Sequence, residues 1–432
     1  MDNQIDLLEN EEELPREPKN NELVESALNQ LEERRNKILS GSLNCVPSPF
    51  KKFTKDFPGL EQSQYICVTS FTKGGKTQIV SYMFIFELVW FAYFTKANID
   101  FHIIYFALEE TKERIMQRFM SWLLFKVSKR SIRINPTNLR STSKAVDEDI
   151  LDKLREFNML GILNYFAEHI EFPNEENPTG IYKYCKQYAE DHGTVKKKTI
   201  KIKDELGQLQ DVEVFDSYEQ DNPNEYRIVI IDTINLISEE RGWKKKECMD
   251  KMSEYCAKDL RNKYHFSPIV IQQQAFESEG NDAFKLGRVR PSVYGLGDSK
   301  YISRDADLVL GLFSPARFGI TDYFGYDITA LKDHIRFLEV IVNRNGQMGG
   351  LLPLWFDGDV CDFKELPKSS AYSDATPADK ANLDKIYALC KTLDATGKYP
   401  VSSSPSKATT LLLSTKNAVK HIINLTNFKF NE

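Results

Sequence analysis

The sequence predicts an α/β fold with a central, mostly parallel sheet flanked by helices. Apolar runs of strand type alternate with helical stretches from about residue 60 onward, the pattern of a parallel sheet whose crossovers are helices. One of those runs, QYICVTS, passes through a glycine-containing loop into the helical stretch TQIVSYMFIFELVWF. The 432 residues, 41% hydrophobic and 28% charged, suffice for one large core or two ordinary domains.

The chain opens acidic. Residues 1–37 hold eleven acids against five bases, which accounts for the whole formal charge of -6, so the remainder is neutral. Such a body does not advertise nucleic-acid binding, and a claim of that kind has to rest on local basic loops. Residues 1–42 read as a disordered acidic tail followed by an amphipathic linker helix, ELVESALNQLEERRNKI, with Leu23, Ala27, Leu28, Leu31 and Ile38 near helical spacing. That helix either packs on its own domain or reaches a neighbouring subunit.

Strands are expected at YICVTS, FHIIYFA, RIVIID, SPIVIQQ, DLVLGLF and FLEVIVNR. Between residues 135 and 225 the alternation breaks down, and TVKKKTIKIKDELGQLQDVEVFD over 194–216 reads as an inserted β-hairpin. Its basic run KKKTIKIK is expected to be a solvated face. Residues 367–432 read as a linker and a small C-terminal tail with room for two short helices at most.

The most apolar run, IVSYMFIFELVWFAYF over 79–94, is shorter than the roughly 20 residues of a membrane span and contains Glu87. A buried helix is expected, with no membrane partner. The seven cysteines form no C-x-x-C pair, which favours buried thiols in a reducing compartment and no metal cluster. An acidic N-terminus without a signal-peptide core points to the cytoplasm, or to the host cytoplasm for a viral gene.

The stretch TSFTKGGKTQ carries the chemistry. It matches G-x-x-x-x-G-K-[ST] except that Ser70 stands at the first position. In a strand, loop and helix context, backbone N–H groups surround a phosphate at a helix N-terminus, where the dipole favours negative charge. Ser70, Phe71, Thr72, Lys73, Gly74, Gly75, Lys76, Thr77 and Gln78 are therefore the candidate nucleotide-binding residues. Lys76 would neutralise the β- and γ-phosphates, and the Thr77 hydroxyl would serve Mg²⁺. RIVIIDT is a buried strand ending at Asp232, the form of a Walker B element. Thr233, Ile234 and Asn235 follow it and none can act as a base. The catalytic carboxylate is expected instead from Glu109 or Glu110, at the end of FHIIYFALEET.

These segments resemble the DnaB-type replicative helicases, hexameric motors with a RecA-like ATPase domain. YFALEETKERIMQRF is similar to the family's strand-plus-helix element, whose catalytic Glu corresponds to Glu109. VIIDTINLIS resembles its Walker B segment, and SPIVIQQQAFE its strand ending in a γ-phosphate-sensing Gln, here Gln274. RPSVYGLGDSKYISRDADLVLGL resembles the run from Arg-Pro through a DNA-facing loop to Asp-Ala-Asp. EVIVNRNGQMGGLLPLWFDGDVCDFKEL resembles the terminal hairpin, whose arginine finger on a neighbouring subunit's nucleotide corresponds to Arg344. The resemblance spans about residues 43–366. It implies a RecA-like P-loop NTPase fold there, with an insertion at about 135–225 and a short helical N-terminal arm. Ser70 is an ordinary small-residue variant within that family.

The departures are specific. Val342 stands where the family carries a Lys two residues before the finger, and Gly297 and Lys300 alter the DNA-facing loop. A ring motor of this type grips single-stranded DNA through channel loops. EERGWKKKE supplies Arg241, Lys244, Lys245 and Lys246 with Trp243 available to stack, and the second loop supplies Arg288, Arg290 and Lys300. The reading is an ATP- and Mg²⁺-dependent, ring-forming and hexameric replicative helicase that translocates on single-stranded DNA, with a primase or a loader as further partner. Two alternatives stay open: a RecA-like filament ATPase, and a non-catalytic structural or loading subunit.

Overall fold

A computed structural model of the chain describes residues 21–40, 42–95, 99–142, 144–203, 209–275, 289–297 and 299–400. It divides into two compact units, Met1–Asn44 and Cys45–Glu432. In the first, helix α1 (Asn21–Leu39) leaves Val24, Leu28, Leu31, Ile38 and Leu39 more than half exposed, and Asn44 Nδ2 donates to the Arg34 carbonyl. The expected acidic tail lies outside the described residues.

Nine strands of the second unit form one sheet: β1 (Ile66–Ser70), β2 (Asp100–Ala107), β3 (Ile170–Glu171), β4 (Glu225–Asp232), β5 (Ser267–Gln273), β6 (Leu308–Phe313), β7 (Ile335–Asn343), β8 (Leu351–Asp357) and β9 (Asp362–Glu365). Their order is β9-β8-β7-β6-β1-β5-β4-β2-β3. Neighbours from β6 across to β3 run parallel, and β7, β8 and β9 are added antiparallel. All six expected strands are present. Every residue of β1 and β6 is buried, as an apolar run covered on both faces must be.

Helix Lys76–Thr95 follows the phosphate loop and contains one π turn at Tyr82–Phe86. Its length and apolarity would suffice for a membrane span, but 67% of that window is buried inside the fold. Phe86 packs on Phe119 and Trp122, and Trp90 on Trp122, which makes it a core helix.

The stretch from 135 to 225 is less separate than its broken rhythm implies. Strand β3 extends the sheet beside β2, and Ile181, Cys185, Tyr188 and Ala189 of the helix Pro178–Asp191 join the main core. The hairpin itself pairs Gly193–Lys203 with Leu209–Gln220. There Lys196 meets Glu219, Lys197 lies 3.5 Å from Glu213, and Lys198 3.1 Å from Asp216, so the acids opposite answer the basic run.

The C-terminal region is more ordered over residues 367–400 than a linker and tail would be. Among its described residues, which end at 400, it forms one 20-residue helix, Pro377–Thr396, started by a Thr376–Asp379 capping box and ended by Gly397 in the left-handed region. Its Leu383, Cys390 and Leu393 are buried in a cluster with Phe71, Phe313, Phe337 and Trp355. Polar composition hid this helix because only one narrow stripe of it is apolar.

Candidate nucleotide site

The phosphate loop sits where three strand ends coincide: Ser70 at the end of β1 pairs with Gln273 of β5 and Leu312 of β6. This is the carboxyl edge of a parallel sheet, where α/β folds place ligands. Two glycines shape the loop. A Cβ on Gly74 would lie 1.8 Å from Ser70 Oγ and 3.0 Å from the Phe71 carbonyl, and Gly75 has φ +102. Only glycine holds that conformation without strain at the start of the helix. Ser70 is fully buried, its hydroxyl donating to the Phe71 carbonyl at 3.0 Å, so the residue replacing the usual glycine is accommodated by the missing side chain of Gly74.

The other loop residues divide by direction. Phe71 is buried against Phe313 and Phe318, leaving its backbone for a ligand, while Thr72 and Lys73 are exposed. Lys76 and Thr77 open the helix. Gln78 turns away, its Nε2 donating to the Gly358 carbonyl at 3.1 Å.

Strand β4 brings Asp232 to this edge, and the Thr77 hydroxyl donates to Asp232 Oδ1 at 3.0 Å. Sequence reasoning missed a second donor: the Tyr105 hydroxyl lies 2.5 Å from Asp232 Oδ2. The signal was a tyrosine inside the apolar run of β2. Asp232 is 1% exposed, and burial pushes its carboxyl up to about 6. The bonds from Tyr105 and Thr77 pull it back, and the charges of Glu109 and Glu110 add to the rise.

The two glutamates separate. The Glu110 carboxylate takes both bonds of Arg118 Nη2, at 2.7 and 2.5 Å. Glu109 is exposed beside the site, its backbone N–H held by the Asp232 carbonyl at 3.1 Å. Gln274 and Gln273 also part, because successive strand residues face opposite sides. The Gln274 amide is buried, donating to Thr69 Oγ1 at 2.9 Å and the Ser292 carbonyl at 3.1 Å. Gln273 is the one whose side chain reaches the loop, donating to the Thr72 hydroxyl.

Arg344 is not brought to this edge. Strand β7 runs antiparallel to β6, so Phe337 lies beside Phe313 near the loop and Asn343 beside Leu308, at the level where β1 begins. Eight residues at roughly 3.3 Å each put Arg344 about 26 Å along the strand from Arg336. There its guanidinium donates to the Arg304 carbonyl and lies 3.9 Å from Asp307. It lines an open groove of about 520 Å³ together with Trp243, Lys251, Arg261, Tyr301 and Arg304. Val342 is a packing residue, opposite Val309 and against the main core.

No protein-family model matches the sequence, and comparison with curated proteins finds no match. Comparison with solved structures does. The structure of a DnaB-like replicative helicase, described with its interactions with primase, superposes with TM-score 0.52 and 16% identity over 78% of this chain. The chain spans 66% of that protein's length. A second solved structure, that of an ATPase domain, superposes with TM-score 0.55 and 16% identity, over 80% of this chain and 98% of that domain. The likeness is one of fold, the RecA-like arrangement of those two structures.

On this RecA-like fold the end of the second candidate DNA loop meets the helix Lys245–Glu254 that follows the first, the Ser299 hydroxyl donating to Asp250 Oδ1 at 2.5 Å. Arg241, Lys244 and Lys246 are exposed, with Trp243 42% exposed beside them. Lys245 is turned back, donating to the Ile237 carbonyl. In the second loop Arg290 lies 3.8 Å from Glu339, Lys300 stands 5.9 Å over the Tyr294 ring, and Arg288 lies outside the described residues.

Proposed function

We propose that the chain is an ATP-hydrolysing DNA helicase motor, working as a ring, expected to be a hexamer, on single-stranded DNA in the cytoplasm of a cell or of a viral host. One observation carries this reading. Thr77, Asp232 and Glu109 come together beside the phosphate loop, while the sheet holds Arg344 at its opposite edge, away from its own loop.

The loop residues fit a nucleotide phosphate. Gly74, whose N–H donates to the Phe71 carbonyl at 3.0 Å, and Gly75, at φ +102, keep side chains out of the loop, so a phosphate could approach its backbone closely. Lys76 would neutralise phosphate charge, and Thr77 and Asp232 would hold Mg²⁺, which supplies charge neutralisation at the transferring phosphoryl group. Glu109 orients and deprotonates the attacking water, with Gln274 or its neighbour Gln273 reporting the γ-phosphate state. Arg344 completes the site of the adjoining copy. Arg241, Lys244, Lys246, Arg290 and Lys300 grip phosphates of the strand. A primase or a loader is the expected further partner, since the similar helicase is described with primase.

Val342 favours one second reading, a non-catalytic subunit, because an apolar residue occupies the position of a trans-acting charge. ATPase assays with and without single-stranded DNA, alongside sizing with nucleotide, separate the two. The motor predicts DNA-stimulated turnover that Glu109→Gln abolishes. Negligible turnover in the wild type, with nucleotide still bound, would sink the motor reading and leave the second.

A further inference from the structure

Strand β7 carries a charged residue where its burial pattern calls for an apolar one. Arg336 is 1% exposed between Ile335 and Phe337. Burial pushes the guanidinium down from its ordinary value, the nearby Arg317 adds to this, and Asp333 opposes it. An arginine nonetheless keeps its charge in proteins. A charge so placed is tolerated only when its donors are satisfied. Nη1 donates to the carbonyls of Asp333 and Ile335 at 2.7 and 2.8 Å, and Nη2 to Asp333 Oδ1 at 2.9 Å. The Phe356 ring stacks at 4.3 Å. Those contacts come from β7, the turn before it and neighbouring β8. The remaining bond crosses 262 residues of sequence: Nε donates to the Gly74 carbonyl at 2.9 Å.

We propose that Arg336 is a positioning residue for the phosphate loop, holding the Gly74 carbonyl so that the Gly75 N–H faces bound phosphate, with a fixed positive charge behind it. This rests on the nucleotide reading above. The Gly74–Gly75 peptide is trans, and in a planar trans peptide the carbonyl and the following N–H point in opposite directions. Tying the carbonyl down to Arg336 therefore turns the Gly75 N–H outward. Glycine at 75 supplies the φ of +102 that this peptide orientation needs, and an ideal Cβ there would stand 3.9 Å from Arg336 Nε, in ordinary contact. An apolar residue at 336 would leave that peptide to choose its own orientation, at an entropic cost on every binding event.

The test uses the full chain, a fluorescent ATP analogue with Mg²⁺, steady-state ATPase kinetics and thermal unfolding. Arg336→Gln is expected to raise Kd and KM at least tenfold with a smaller change in kcat, and Arg336→Lys to recover most of the loss by keeping a charge and a donor for Gly74. Asp333→Asn, which keeps an Oδ1 acceptor for Nη2 on a side chain 71% exposed but removes its charge, is expected to raise Kd at least twofold by loosening the guanidinium. A folded Arg336→Gln that binds nucleotide within twofold of wild type overturns the proposal. Should that variant fail to fold, wild-type affinity in Asp333→Asn overturns it. Lys76→Ala separates the two layers: if it binds nucleotide as tightly as wild type, the nucleotide reading itself falls, whatever Arg336 does.

Discussion

Arg336 and Arg344 stand near opposite ends of the same strand, the first bonded to Gly74 beneath the phosphate loop and the second beyond Asn343 at the edge where β1 begins. One arginine is bonded to its own chain's loop, and the other is held at the far end of the strand from it.

Arg344→Ala is expected to keep nucleotide affinity and lose turnover by a factor on the order of 10³, the range seen when an arginine finger is removed. Because the defect lies in trans, mixing Arg344→Ala with Glu109→Gln subunits should restore part of the activity that neither has alone. A mixture no better than its components refutes the trans assignment.

The Tyr105 hydroxyl holds Asp232 Oδ2. A hydrogen bond to a charged group contributes about 1.5–3 kcal/mol, and part of it is recovered by the remaining Thr77 bond. Tyr105→Phe should therefore lower kcat at saturating ATP and Mg²⁺ by roughly tenfold, while the melting temperature stays within a few degrees. Unchanged kcat would show that Thr77 alone positions the carboxylate.

Ser70→Gly restores the usual loop residue and removes one buried hydroxyl, so nucleotide affinity should stay within twofold. Gly74→Ala should abolish binding, because its Cβ would fall 1.8 Å from Ser70 Oγ. Combining the two relieves that clash and should recover part of the affinity. The remaining approach to the Phe71 carbonyl, 3.0 Å, limits the recovery. Titration of each variant with labelled nucleotide checks the order.

Arg241→Ala, Lys244→Ala and Lys246→Ala together should weaken single-stranded DNA binding and reduce its salt slope by about 0.7 per lost phosphate contact. Lys245→Ala should leave the slope alone, its ammonium being committed to the Ile237 carbonyl. An identical slope in the triple variant returns this loop to a merely solvated face.

Asp362 reports on pH. It is 6% exposed, and burial pushes its carboxyl up to about 6 against the pull of Arg130, 3.1 Å away. The folded state then binds this proton more tightly than the unfolded chain does. Its contribution is full at low pH and is lost as pH rises through about 6. Asp362→Asn lacks that loss, so between pH 5 and 7.5 its stability relative to wild type should improve by about 1 kcal/mol. Urea unfolding at the two pH values measures the gap, and a constant gap contradicts the argument.

The six main strands, the helix after the phosphate loop and the positions of Lys76, Thr77, Asp232 and Glu109 were legible in the sequence. Each is written in local chemistry: an apolar run, a glycine pair before a helix, an acid at a strand end. The inserted region and the C-terminal helix were read too loosely, since their apolar residues are sparse and become a core face only once β2 or Trp355 lies opposite.

What only the tertiary structure decided are relationships between residues far apart in the chain. Sheet register sends Gln273 rather than Gln274 toward Thr72, places the Tyr105 hydroxyl on Asp232, lays Arg336 under Gly74 and carries Arg344 away from its own loop. Composition and spacing are local quantities, whereas register is set by how whole strands pack. The sequence by itself determined the parts of a candidate phosphate site, and the order β7-β6-β1-β5-β4-β2 determined which of those parts meet within one chain.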